Sequence, residues 1–104
     1  MIFVLNSAVL TAFGTYKFSE VSVEAVRELL RSPFISAVGH EPTAAVLTEI
    51  LELPIEHNRI QISMQPGDSG VVFRLKDRLP ENTVLTKEAA QALPYELGLL
   101  IRQT

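Results

Sequence analysis

Phe34-Ile35-Ser36-Ala37-Val38-Gly39-His40-Glu41-Pro42-Thr43 is the stretch whose reading decides the fold. Its first half is an apolar run of strand length, and its second half opens a helix. Pro42 fits a first helical turn, where a missing N–H removes no bond and φ is already set. Behind it Val46, Leu47, Ile50 and Leu51 recur on one face of a helix expected over 44–53, ended by Leu53-Pro54. A strand at 34–38 running straight into a helix is the unit of an α/β protein. The junction also carries chemistry, because Gly39 and His40 fall beside the free N–H groups of a helix N-terminus, which favour an anion.

Outward from this junction, 2–5 is a short apolar run read as a buried strand that ends at Asn6-Ser7, and 15–19 is a second short strand. Ser22 is placed to cap a helix over 23–31, whose Val23, Val26, Leu29 and Leu30 share a face before Ser32-Pro33 breaks it. Downstream, Ile60, Ile62 and Met64 alternate with Arg59, Gln61 and Ser63, the period of a half-buried strand. Pro66-Gly67-Asp68-Ser69-Gly70 is a turn, after which Val71, Phe73 and Leu75 alternate with Arg74 and Lys76, so the two runs predict a hairpin. Thr86 caps a helix reaching residue 93, Pro94 stops it, and 95–102 is a last apolar strand. The expected architecture is a single α/β domain over 1–104, with one mixed β-sheet flanked by about three helices.

Composition narrows the function classes. A chain of 104 residues with 47% hydrophobic content supports one modest core. No apolar run approaches the length of a membrane span, and the N-terminal residues lack a basic n-region and a cleavage site. A cytoplasmic protein without membrane contact is therefore expected. The absence of cysteine excludes disulfides, thiolate metal sites and cysteine nucleophiles. A net charge of -3 argues against salt-driven binding to long nucleic acid, while leaving room for a small anion in a local basic pocket.

Each candidate residue has a plain structural alternative. His40 could be merely exposed, but an imidazole beside an anion cradle is suited to acid or base work near neutrality. His57 lies in the polar run Glu56-His57-Asn58-Arg59 and reads as an exposed loop residue. Arg74 and Lys76 alternate on the outer side of a strand and read as a solvated face. Arg78 sits where that strand gives way to Leu79-Pro80-Glu81-Asn82, a position where functional groups are often presented. Guanidinium forks there and at Arg59 suit bidentate phosphate contacts, and a salt bridge from Arg78 to Glu81 or Asp77 is the bland alternative. The two histidines and scattered carboxylates match no metal-ligand spacing, so no metal or other cofactor is expected.

Leu5-Asn6-Ser7, Gly39-His40-Glu41-Pro42-Thr43, Asn58-Arg59, Arg78-Leu79-Pro80-Glu81 and Leu93-Pro94-Tyr95-Glu96 occur in an order and spacing that resembles a known family. It comprises small proteins of archaeal viruses and bacteria and includes the viral anti-CRISPR ring nucleases, which degrade cyclic tetra-adenylate. The resemblance covers nearly the whole chain. It implies that His40 is catalytic, that Arg78 and Glu81 assist it, and that Asn6, Gly39 and Arg59 contact or shape the ligand pocket. The family's ligand-touching loop serine corresponds to Ser7 or Thr11, or its position is taken by Val9. The resemblance also implies a homodimer, no metal and a cyclic oligoadenylate ligand. The expected function is thus a metal-independent phosphodiesterase. A non-catalytic dimer that sequesters a cyclic oligonucleotide, or acts as a regulatory module, is the alternative.

Overall fold

The computed structural model describes residues 1–76 and 87–104. Five strands form one mixed sheet: Ile2–Leu5 (β1), Tyr16–Glu20 (β2), Ile35–Ala37 (β3), Ser69–Leu75 (β4) and Tyr95–Arg102 (β5). The helices are Val23–Leu29 (α1), Glu41–Leu51 (α2) and Lys87–Ala92 (α3). Strand order is β2-β5-β4-β1-β3. β1 runs parallel to both neighbours, with Leu5 beside Ala37 of β3 and Val72 of β4. β5 runs antiparallel to β4 and β2. The sheet is therefore parallel on one side and antiparallel on the other.

Hydrophobic pattern explains the layers. β1 and β4 lie inside the sheet with both faces covered, and their apolar runs are correspondingly continuous. Val4, Val71, Phe73 and Leu97 face the helices and join Val26, Leu30, Val46, Leu47, Ile50 and Leu51 in the larger core cluster. Phe3, Leu5, Val72 and Leu100 point the other way and pack with Ala37 and Met64. Each aliphatic side chain buried this way contributes about 1.5–3 kcal/mol.

The expected start of α1 holds, whereas α2 starts three residues before, and ends two residues before, the expected 44–53. Ser22 caps α1, its Oγ accepting the Ala25 N–H at 3.1 Å. Helix α2 begins at Glu41, so Pro42 falls in its first turn, and it ends at Leu51 with Glu52 in the left-handed conformation (φ 56°). β2 and β5 lie within a residue of their predicted spans, and β3 covers the centre of 34–38.

The predicted hairpin does not form. β4 already has β1 on one edge and β5 on the other, so residues 60–64 have no ladder to join. Their alternation has a different cause: Ile62 and Met64 pack against the sheet face that carries no helix, and Met64 is fully buried there. The turn at Pro66-Gly67-Asp68 is present, with the Asp68 N–H donating to the Gln65 carbonyl at 2.9 Å, and it leads into β4 from this covering segment. Arg102 fastens the cover by donating to the carbonyls of Met64 and Phe13.

Candidate functional site

Parallel pairing of β1 with β3 brings two loops to the same end of the sheet. Beyond Leu5 come Asn6 and Ser7; beyond Ala37 come Val38, Gly39 and His40. In open α/β sheets the crevice beyond the strands' carboxyl ends is where ligands bind. A hollow of about 890 Å³ lies there, lined by Asn6, Ser7, Gly39, His40 and Arg59. Five of the seven predicted site residues are thus brought together. The other two, Arg78 and Glu81, lie outside the described residues, as do the 79–82 turn and the Thr86 cap.

His40 is the N-cap residue of α2, with extended backbone (φ −132°, ψ 114°), and its ring is exposed. Its carbonyl accepts the Ala44 N–H at 3.1 Å and closes the first turn. The imidazole itself does not cap the helix. Its Nδ1 lies 2.7 Å from the Thr43 hydroxyl, one turn along, which leaves Nε2 without a partner among the described residues. A hydroxyl both donates and accepts, so Thr43 can hold the ring in its neutral and its protonated form.

Arg59 reaches the hollow from a different segment. Val38 and His57 form a parallel bridge, and the Asn58 N–H donates to the Val38 carbonyl at 2.9 Å. The Arg59 stem then lies over Gly39, where a Cβ would stand 3.3 Å from Arg59 Cγ. A side chain at Gly39 would crowd this stem by a few tenths of an ångström. Among the described residues the guanidinium of Arg59 has no acidic partner within salt-bridge distance, so its charge is available to an anion. Thr11 and Ser63, which also line the hollow, are joined by a 3.0 Å hydrogen bond between their hydroxyls. Ser7, Val9 and Thr11 all line the hollow, so the alternatives for the ligand-touching loop position stay open.

Other sequence expectations fall elsewhere. His57 is exposed, as expected of a loop residue. Arg74 is exposed and paired with Glu96 at 2.5 Å across β4 and β5, which holds the Glu96 carboxyl below its usual range. A second hollow of about 610 Å³ beside Arg74 and Lys76 shares only Ser7 with the candidate site. Among the described residues no three His, Asp or Glu side chains group as metal ligands, and no helix is long and apolar enough to cross a membrane. Sequence reasoning passed over Thr43, Ser36 and Asn58 as parts of the site's framework. A polar residue inside the apolar run Phe34-Ile35-Ser36-Ala37-Val38 was the available signal for Ser36.

Comparison with known proteins agrees with this architecture. The chain is 40% identical over 105 residues to protein 26 of Sulfolobus islandicus filamentous virus, covering 95% of this chain and 89% of that one. It is 33% identical over 101 residues to YddF of Bacillus subtilis, covering 94% of each. B116 of Sulfolobus turreted icosahedral virus superposes with a TM-score of 0.84 over 97% of this chain and 98% of its own, at 19% identity, which establishes a shared fold. The family model described as STIV B116-like matches residues 2–97, and the chain belongs to that family.

Proposed function

We propose that this protein is a metal-independent ring nuclease that cleaves cyclic tetra-adenylate into linear oligoadenylates ending in a 2′,3′-cyclic phosphate, and so damps type III CRISPR signalling. The supporting observation is the meeting of Asn6, Ser7, Gly39, His40 and Arg59, distant in sequence, in one open hollow. RNA carries its own nucleophile. A ribose 2′-oxygen attacks the adjacent phosphorus and loses its proton, the bond from phosphorus to the 5′-oxygen breaks, and that oxygen takes up a proton. The enzyme has to align the attack, stabilise the phosphoryl oxygens and supply the last proton.

Alignment alone contributes roughly 7–11 kcal/mol in the best intramolecular cases. Arg59 brings to the hollow a cation with no acidic partner among the described residues, and Arg78 is assigned the same work on the phosphoryl oxygens, worth about 3 kcal/mol on the scale of oxyanion-hole donors. His40 donates from Nε2 to the leaving 5′-oxygen, a contribution of at least about a hundredfold. Glu81 orients Arg78 or binds a ribose hydroxyl. The working unit is a homodimer, because a two-fold ring matches a two-fold protein and one small domain encloses little of such a ligand alone. Exposed Leu10 and Ile60, on the loops that carry the hollow's lining, fit a contact of that kind.

Incubation of the protein with labelled cyclic tetra-adenylate in EDTA tests the reading. Cleavage that survives the chelator and disappears in His40→Ala is expected. Tight binding of intact rings by the native chain reassigns it to sequestration, and absence of binding at micromolar protein removes both readings.

A further inference from the structure

We infer that Asn58, stitched to β3 together with Ser36, is the residue that positions Arg59 at the ligand hollow. β3 is the edge strand beyond β1, and its outer side is covered by the chain from Glu56 to Asn58, which forms no regular strand of its own. Asn58 holds β3 and the residue after it: its side-chain amide donates to the Ser36 carbonyl at 2.8 Å, and its backbone N–H donates to the Val38 carbonyl at 2.9 Å. Ser36 returns the contact, its Oγ donating to the Glu56 carbonyl at 2.6 Å. It is the one buried polar residue among those described, and burial of a hydroxyl is tolerated because this bond satisfies it.

Immediately after this clamp the chain kinks. The Ile60 N–H donates to the Asn58 carbonyl at 3.1 Å, a three-residue turn with Arg59 at its apex. Arg59 is therefore held from both sides through Asn58, and its stem is laid across Gly39 beside His40. Without the clamp, a long, rotamer-rich side chain would have to be ordered by the ligand itself. Asn58 acts through Arg59 and touches no ligand in this scheme. That the anion met by Arg59 is a ring phosphate rests on the proposed function; the positioning of Arg59 does not.

A double-mutant cycle on the full chain tests the inference. Binding of cyclic tetra-adenylate is measured by calorimetry in a His40→Ala background, so that the ring stays intact. Asn58→Ala is expected to weaken binding about tenfold, the scale of one lost hydrogen bond to a charged group. In an Arg59→Ala background the same substitution is expected to change binding by less than about twofold. A second readout needs no ligand: the ¹⁵N heteronuclear NOE of Arg59 Nε in the free protein is expected to fall in Asn58→Ala. Ser36→Ala is expected to act in the same direction and carries both comparisons if Asn58→Ala does not fold. Equal weakening with and without Arg59, or an unchanged Nε NOE, overturns the inference. Should the protein bind no ring, the nucleotide reading falls while the NOE comparison still decides the role of Asn58.

Discussion

Gly39→Ala isolates the contact on which the cationic side of the hollow depends. Gly39 does not use the left-handed backbone conformation, so alanine meets no φ penalty there. What it meets is the Arg59 stem, with Cγ at 3.3 Å, Cβ at 3.6 Å and Cα at 3.7 Å from the added carbon. The first of these is a few tenths of an ångström too close for comfortable contact, and the stem has to lift. The fold should survive, because replacing glycine stabilises by about 0.4–1 kcal/mol through the unfolded chain and offsets part of the crowding. A net change within about 1 kcal/mol corresponds to a Tm shift of about 4–8 °C or less. Function should suffer more. A charge-assisted hydrogen bond is worth about 1.5–3 kcal/mol, so on the proposed function, displacing the guanidinium from a ring phosphate is expected to cost about tenfold or more in kcat/KM. The assay is ring cleavage under single-turnover conditions beside a thermal melt of the same preparation. Full activity with an unchanged melt refutes the argument that Gly39 makes room for Arg59.

Other expectations follow from the same geometry. Thr43→Val removes the hydroxyl partner of His40 Nδ1 while keeping the side chain's shape; kcat should fall about tenfold with little change in KM, and Thr43→Ser should restore most of it. Met64→Ala should cost about 2–5 kcal/mol in denaturant unfolding, whereas Ser63→Ala should cost far less, which checks that 60–64 covers the sheet. Burial alone would raise the Asp68 carboxyl, but the Gln65 N–H and the Met1 ammonium outweigh it and hold the group below its ordinary value of 3.8. Its stabilising share is thus complete above that value and lost as pH falls through the lowered one, so the stability gap between the native chain and Asp68→Asn should narrow in acid unfolding measurements.

Much of the scaffold was readable because its signals are local. Ser22 as a cap, Pro42 in a first turn and the repeat of Val46, Leu47, Ile50 and Leu51 each act within one or two helical turns. The hairpin at 60–64 failed for the opposite reason. Alternation reports that one side of a segment is buried, and it does not say whether the burying partner is a neighbouring strand or the face of a sheet. Nothing within Ile60 to Met64 records that both edges of β4 are taken by β1 and β5. The site divides along the same line. Gly39 and His40 announced themselves through the helix start, Arg59 through its guanidinium fork as well as family resemblance, and Asn6 and Ser7 through family resemblance. Thr43 and Asn58 fall within the motifs that carry the resemblance, but their roles stayed hidden, because a hydrogen bond to an imidazole or to an edge-strand carbonyl leaves no periodic trace in sequence.

Helix α2 has one end in the hollow and its flank in the interior. At about 1.5 Å per residue, its eleven residues make a rod roughly 16 Å long, with His40 at the tip. Val46, Leu47, Ile50 and Leu51 are its footing, so any slackness at that footing is carried to the imidazole as tilt. Thinning these side chains should consequently blunt turnover at temperatures well short of melting, and heat inactivation should run ahead of loss of secondary structure.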